Sequence, residues 1–184
     1  MKKFFFLVLS IAILVGGCAK QKAEKEKLNE LTALMLNESL NKEVVMKYID
    51  GLNKNDSSMY RQLFEAVYSP SCKIYMPAGN PNFVGFNEIV KAQKDVYTAI
   101  PDAHWEIVDF AADGNTVMAR LWTTGTNTGA FNGIPPSGNK IGFSNTVTFK
   151  MEKGKIVEQL EDYDQLSVLI PLGFELVPPK KMKK

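Results

Sequence analysis

The chain has 184 residues, with 22 Lys and Arg against 20 Asp and Glu, one His and two Cys. That length supports one domain with a real core and excludes two comfortable ones. Much of the positive charge sits at the two ends; residues 41–176 hold 12 basic and 16 acidic residues, a net of −4, which excludes a nucleic-acid footprint.

The chain starts MKKFFFLVLSIAILVGGCAK. Two lysines, an apolar run from Phe4 to Val15 and small residues before Cys18 have the layout of a secretory signal. The run is about a dozen residues, short of the roughly 20 a spanning helix needs. Val15-Gly16-Gly17-Cys18 resembles the bacterial lipobox, which implies removal of residues 1–17 and lipidation of Cys18. Ala19 rather than Asp after the cysteine implies an outer-membrane address on the periplasmic side in a Gram-negative host. Cys72 would then be the only free thiol. A secreted domain with one thiol has no internal disulfide and depends on burial; Cys72, in the apolar run CKIYM, reads as a small hydrophobe.

Residues 19–27, AKQKAEKEK, read as a charged tether, and Leu28, Leu31, Leu34 and Met35 mark a short helix. The expected units are therefore a signal peptide (1–17), a lipidated tether with a short helix (18–38), a domain (39–177) and a basic tail (178–184). Within the domain, Asn37 or Ser39 is placed to cap a helix with Val44, Val45, Tyr48, Ile49 and Leu52 on one stripe. Ser57 or Ser58 is placed to cap a second, with Met59, Leu63, Phe64 and Val67. A short strand at 72–76 and a helix over about 87–99 follow, the latter stopped by Pro101.

From Ala103 the pattern turns to strands. Asp113-Gly114 reads as a two-residue turn between HWEIVDFAA and NTVMARLWTT, and Lys153-Gly154 as another between KIGFSNTVTFKM and KIVEQLEDYD. Helices followed by a run of antiparallel strands predict an α+β fold, one curved sheet packed on N-terminal helices. In the first hairpin Val108, Phe110, Val117, Ala119 and Leu121 share one face; Trp105, Ile107, Met118 and Trp122 share the other. A sheet apolar on both faces needs two coverings, the helices and, as the second, another copy of the protein. Arg120 is placed to pair with Asp109 across this hairpin.

In the second hairpin Ile141, Phe143, Asn145, Val147, Phe149 and Met151 alternate with small or polar residues and face the core. A two-residue turn at Lys153-Gly154 sets Phe149 opposite Glu158 and Phe143 opposite Asp164. The inward row is then Ile156, Glu158, Leu160, Asp162 and Asp164, three of its members carboxylates. A one-residue change of register would instead turn Val157, Gln159, Glu161 and Tyr163 inward. The two-residue turn favours the first row.

Residues 125–140, GTNTGAFNGIPPSGNK, resemble the signature loop of the SnoaL-like polyketide cyclases, G-T-H-x-G-x-F-x-G-I-P-P-T-G-K. AIPDAHWEIVDFAADGNTVMARLWTTGT and GKIVEQLEDYDQLSVLIPLG are similar to the segments that flank it in that family. The resemblance covers about residues 40–176. It implies the cone of the nuclear-transport-factor-2-like superfamily, helices over a curved sheet around a pocket, and chemistry without a metal or cofactor. The acid/base aspartate of the family's last motif falls on Asp164, where it would take a proton from an acidic carbon before an intramolecular aldol closure. Glu158 matches the motif glutamate and reads as a pocket group. Phe131 and Ile134 would fold over the pocket mouth, with Phe143 on the inward row. The loop departs from the family at Asn127, where the motif has His; an amide there can hydrogen-bond but not carry a proton. Leu160 and Pro171 also replace the motif Trp and Gln. His104 does not substitute for the loop histidine and reads as structural.

Two functions follow from different classes. One is a lipid-anchored protein with a pocket for a carbonyl substrate and an acid/base aspartate. The other is a noncatalytic envelope lipoprotein that holds an apolar ligand or a partner in the same cone. A ketosteroid-type isomerase shares cone and carboxylate but lacks the loop signature.

Overall fold

A computed structural model describes residues 2–76, 82–131 and 133–177, with side chains from residue 20 onward. Its elements are α1 (Lys2–Asn53), α2 (Tyr60–Val67), β1 (Tyr68–Tyr75), β2 (Phe83–Val84), α3 (Phe86–Ala99), β3 (His104–Asp113), β4 (Thr116–Thr126), β5 (Lys140–Glu152), β6 (Lys155–Tyr163) and α4 (Gln165–Leu169). The expected α+β architecture is present: helices pack on an open six-stranded sheet of order β2-β1-β6-β5-β4-β3. All neighbours are antiparallel except β1 and β6, which run parallel.

The tether and the separate capped helices merge into one. No Gly or Pro interrupts residues 18–50, which are rich in Ala, Leu, Lys and Glu. Lys20–Glu24 and Lys22–Glu26 pairs at i,i+4 reinforce its exposed first part. Neither Asn37 nor Ser39 caps anything, because the backbone there is already helical. Asn37 instead reaches the β3–β4 turn, where its Nδ2 donates to Gly114 O and Asn115 Oδ1. Asn41 Nδ2 donates to the same carbonyl, and Gly114 N–H donates to Glu38 Oε1. The side chains of Cys18 and of the stretch before it lie outside the described residues. Among the described residues no helix is long and apolar enough to cross a membrane.

Further along α1 the expected stripe is buried, with Val45, Tyr48, Ile49 and Leu52 in the core. At α2 the residue before the first turn is Met59, without a side-chain cap. Ser57 and Ser58 do not serve; Asp56 Oδ1 closes the preceding turn by accepting from Ser58 N–H at 3.0 Å and Ser58 Oγ–H at 2.6 Å. Tyr60, not Met59, joins Phe64 and Val67 inside. Tyr48, Phe64, Tyr68 and Phe149 then form a ring cluster with Tyr48 at its centre, centroids 5.4–6.2 Å away. Cys72 is fully buried in this core, and burial pushes its thiol pKa up, the opposite of an activated nucleophile.

The first hairpin corrects the sequence reading twice. Asp113 pairs with Thr116, so the turn is Gly114-Asn115, with Gly114 at φ +55°, rather than Asp113-Gly114. A register shift between Ile107 and Asp109 then leaves Val108 unpaired. That bulge carries Trp105 and Ile107 onto the inner face, opposite Thr123 and Leu121, instead of beside Met118 and Trp122. Val108, Met118 and Trp122 remain 45%, 49% and 43% exposed. Arg120 and Asp109 do pair, Nε to Oδ2 at 2.6 Å. Both side chains are exposed, so the bond is worth less than about 1 kcal/mol.

Edge strand β3 is covered by α1 through a side chain that imitates a strand. Asn53 Nδ2 donates to Trp105 O at 2.8 Å, and Trp105 N–H donates to Asn53 Oδ1 at 2.9 Å. Asn53→Ala removes both partners and leaves two part-buried backbone groups unpaired. It is expected to cost about 1–3 kcal/mol, a melting temperature lower by roughly 2–12 °C, measurable by thermal denaturation.

Candidate functional site

Lys153 and Gly154 occupy the expected two-residue turn, with φ values of +49° and +71°, and Met151 pairs with Ile156 as that turn dictates. The next pair is Lys150 with Glu158, so one extra residue, Val157, has been inserted into β6. Beyond it every residue of β6 turns to the opposite face. The inward row is Ile156, Gln159, Glu161 and Tyr163. Glu158, Leu160, Asp162 and Asp164 are not on it.

This moves two of the expected site residues. Glu158 lies opposite Lys150 on one side and Lys73 on the other, among lysines on the outer face. Asp164 is exposed and caps α4: its Oδ1 accepts from Leu166 N–H at 3.1 Å and Ser167 N–H at 3.3 Å, and its Oδ2 accepts from Ser167 Oγ–H. These bonds, led by the Ser167 hydroxyl, hold its carboxyl below the usual range. An exposed carboxylate of lowered proton affinity is poorly suited to take a proton near neutrality.

The inward row supplies a different carboxylate. Glu161 is partly exposed, and burial among core groups raises its pKa against the lowering effect of two hydrogen bonds. Asn145 Nδ2 donates to its Oε1 at 2.7 Å, and Gln159 Nε2 donates to its Oε2 at 3.1 Å. Each amide is held from behind: Thr123 Oγ1–H donates to Asn145 Oδ1 at 3.0 Å, and Tyr68 O–H donates to Gln159 Oε1. Tyr48 lies beyond Tyr68, its phenol pushed up to about 12 chiefly by burial. Phe143, on the inward row as expected, packs its ring 5.7 Å from that of Tyr163. The structure thus gathers Phe143 with Thr123, Asn145, Gln159, Glu161 and Tyr163, none of the last five a candidate from sequence. The advance signals were Asn145 on the core-facing row of the second hairpin and the alternative register that turned Gln159, Glu161 and Tyr163 inward.

The loop is a built structure. Asn127 is 1% exposed and spends its side chain on the loop itself: Nδ2 donates to Ala99 O at 3.1 Å and Gly129 O at 2.8 Å, and Oδ1 accepts from Ser137 N–H at 2.7 Å. It is a staple, and its amide is committed inward rather than offered to a ligand. Gly129 lies so close to α3 that a Cβ there would meet Thr98 O at 1.9 Å. Phe131 and Ile134 are paired by two backbone hydrogen bonds, 3.0 and 2.9 Å, so their side chains share the loop tip. His104 is exposed at the start of β3.

Two surface hollows, of about 410 and 700 Å³, lie elsewhere: one between α1 and α2 beside Gly51, the other on the outer sheet around Lys73, Lys150 and Glu158. Among the described residues no group of three or more His, Cys, Asp or Glu is placed to hold a metal ion.

Glu161 also sets a pH dependence. Its folded pKa is raised, so the native state binds more protons than the unfolded chain between the two values. Its contribution to stability is therefore greatest below the unfolded value, falls as pH rises through that window, and is constant above the folded value. Urea midpoints of wild type and Glu161→Gln are expected to agree near pH 4 and diverge above it, with the variant the more stable.

The family model for SnoaL-like polyketide cyclase matches residues 42–170. No curated protein matches the chain. Among solved structures it superposes with a TM-score of 0.69 on a protein from Jannaschia sp. CCS1 designated a SnoaL-like polyketide cyclase, at 20% identity, covering 78% of this chain and 96% of that one. AclR from Streptomyces galilaeus, designated a hydroxylase, gives 0.65 at 24% identity over 78% and 91%. IdmH from Streptomyces antibioticus, designated a polyketide cyclase, gives 0.59 at 21% identity over 73% and 99%. At these identities the likeness is one of fold.

Proposed function

Because this chain belongs to the SnoaL-like polyketide cyclase family, we propose that it is a small-molecule-pocket protein that moves a proton on a carbonyl substrate, with Glu161 in the acid/base role that the sequence motif gives to Asp164. The observation that carries this reading is the carboxyl itself: inward-facing, of raised proton affinity, held on both oxygens and still partly exposed. A carboxylate of raised proton affinity is a better base than an ordinary one, which suits general acid/base work. As a base it would take the proton from a carbon next to a carbonyl; the enolate would then attack a second carbonyl of the same molecule, and the proton would return to the new alkoxide. Phe143 and Tyr163 give the apolar surface for such a substrate.

The test is a carboxyl NMR titration of the protein with Glu161→Gln as the assignment control. A clearly raised Glu161 value is expected. A value in the ordinary glutamate range near about 4.3 would sink the assignment.

A second reading, a noncatalytic lipoprotein that binds a partner on the same fold, is favoured by one observation: the interior beneath the sheet is filled by Tyr48, Phe64, Tyr68 and Phe149, and neither of the two hollows described above reaches Glu161. Under either reading we propose that Cys18 carries the lipid that holds the domain at the envelope, testable by labelling with a fatty-acid analogue in wild type and Cys18→Ala cells. The exposed Val108, Met118 and Trp122 are the surface proposed for a second copy.

A further inference from the structure

We propose that Thr123 and Tyr68 are positioning residues for Glu161: their hydroxyls fix the two flanking amides so that each presents its NH₂ to the carboxylate. This rests on reading Glu161 as the proton-transfer group. An Asn or Gln amide has nearly the same shape when turned by 180°, but turned it would present oxygen to a carboxylate and repel it. Asn145 and Gln159 are both buried, where such a repulsion is poorly screened. A donor placed on the far side of each amide selects the productive orientation, and one is present in both cases. Thr123 Oγ1 donates to Asn145 Oδ1, which leaves Nδ2 for Glu161 Oε1. Tyr68 O–H donates to Gln159 Oε1, which leaves Nε2 for Glu161 Oε2.

The two arms come from different strands and converge on one side chain. Thr123 is on β4, Asn145 on β5, Gln159 and Glu161 on β6, and Tyr68 on β1. Each arm runs hydroxyl to amide to carboxylate with every hydrogen bond pointing the same way, so each bond polarises the next. The ionised form of Glu161 gains from this, which keeps burial from making the carboxyl permanently neutral. The titratable groups that bear on Glu161 are Asp162 and Tyr163 on its own strand, Tyr68 on β1 and Tyr48 on α1; β5 contributes the amide of Asn145. The arrangement is a device for setting one proton affinity, built from four side chains none of which titrates near neutral pH.

The experiment follows the Glu161 carboxyl by NMR titration in the full chain as Thr123→Val, Thr123→Ser and Tyr68→Phe. Thr123→Val keeps shape and removes the hydroxyl, and Tyr68→Phe does the same for the phenol. Weakening one charge-assisted arm is expected to raise the Glu161 value by roughly one pH unit, equivalent to about 1.4 kcal/mol. Thr123→Ser restores a hydroxyl and is expected to titrate like wild type. A merely structural Thr123 or Tyr68 would change the denaturation midpoint and leave the carboxyl value where it was; that outcome in folded Thr123→Val and Tyr68→Phe overturns the proposal, as does a fall in the value. The wild-type titration is judged separately. An ordinary glutamate value there would remove the proton-transfer reading, while the differences among variants would still decide whether the hydroxyls orient the amides.

Discussion

Glu161→Gln is expected to lower proton transfer by a factor of about 10²–10⁴, with Asp164→Asn within a few-fold of wild type. The measurement is deuterium exchange at the acidic carbon of a small ketone such as 2-tetralone, followed by NMR with the protein in excess over background. The contrast comes from environment, since both side chains are carboxylates three residues apart. Glu161 faces the core, with Asn145 and Gln159 donating to its two oxygens and burial raising its proton affinity. Asp164 is spent on α4, accepting from two backbone N–H groups and the Ser167 hydroxyl, and its proton affinity is lowered. Glutamine keeps the shape of Glu161 and can accept from one of the two amides, so the variant should fold while lacking a base. The reverse pattern, loss of exchange in Asp164→Asn and none in Glu161→Gln, would return the acid/base role to the position that the family motif marks. The pH profile separates the two as well. A raised Glu161 value places the rising limb of a base-dependent rate above the ordinary carboxylate range, whereas Asp164 would place it below.

The helical stripes over 44–52 and 87–99, the run of strands after Ala103 and the Lys153-Gly154 turn were legible in the sequence because each rests on a local signal: a 3.6-residue stripe, a period of two, or a residue able to take positive φ. The site was not, and the reason is one inserted residue, Val157. A bulge leaves no mark on hydrophobic periodicity when both faces of a strand are mixed, as in β6, where Val157, Gln159 and Glu161 are no more polar than Glu158, Leu160 and Asp162. In β3 the bulge at Val108 did the same to Trp105 and Ile107. Hairpin turns fix register only as far as the first insertion. The family motif did not help, because it identifies Asp164 by spacing along the chain, and spacing carries no information about which face a residue occupies after a bulge. The parallel pairing of β1 with β6 was also invisible: nothing near Tyr68 encodes a partner some 90 residues away. That pairing brings the Tyr68 hydroxyl to Gln159, so half of the Glu161 environment depends on a contact without a local signature.

Asn127→Ala should be among the most damaging single changes to the fold, at about 2–4 kcal/mol. Truncation removes three hydrogen bonds from a fully buried position. Ser137 N–H and Gly129 O lose their side-chain partner, and Ala99 O keeps the N–H groups of Thr128 and Gly129. Ser137 N–H and Gly129 O are part-buried, so each left unsatisfied costs toward the low end of about 1–3 kcal/mol, and a small cavity adds to this. At roughly 2–4 °C per kcal/mol for a domain of this size, the melting temperature should fall by about 4–16 °C. Asn127→Asp is a sharper control. It keeps the acceptor for Ser137 N–H but turns the donor toward Ala99 O and Gly129 O into a second acceptor, so it should be at least as damaging above its own pKa and recover on acidification. Neither change touches the Glu161 network, so in material that remains folded the carboxyl titration should be unaltered. If Asn127→Ala melted like wild type and instead changed ligand binding, its amide would have to leave Ala99 and Gly129 in solution, and the loop would be a moving cover rather than the pinned turn that Gly129 against Thr98 and Asn139 against Pro171 make it.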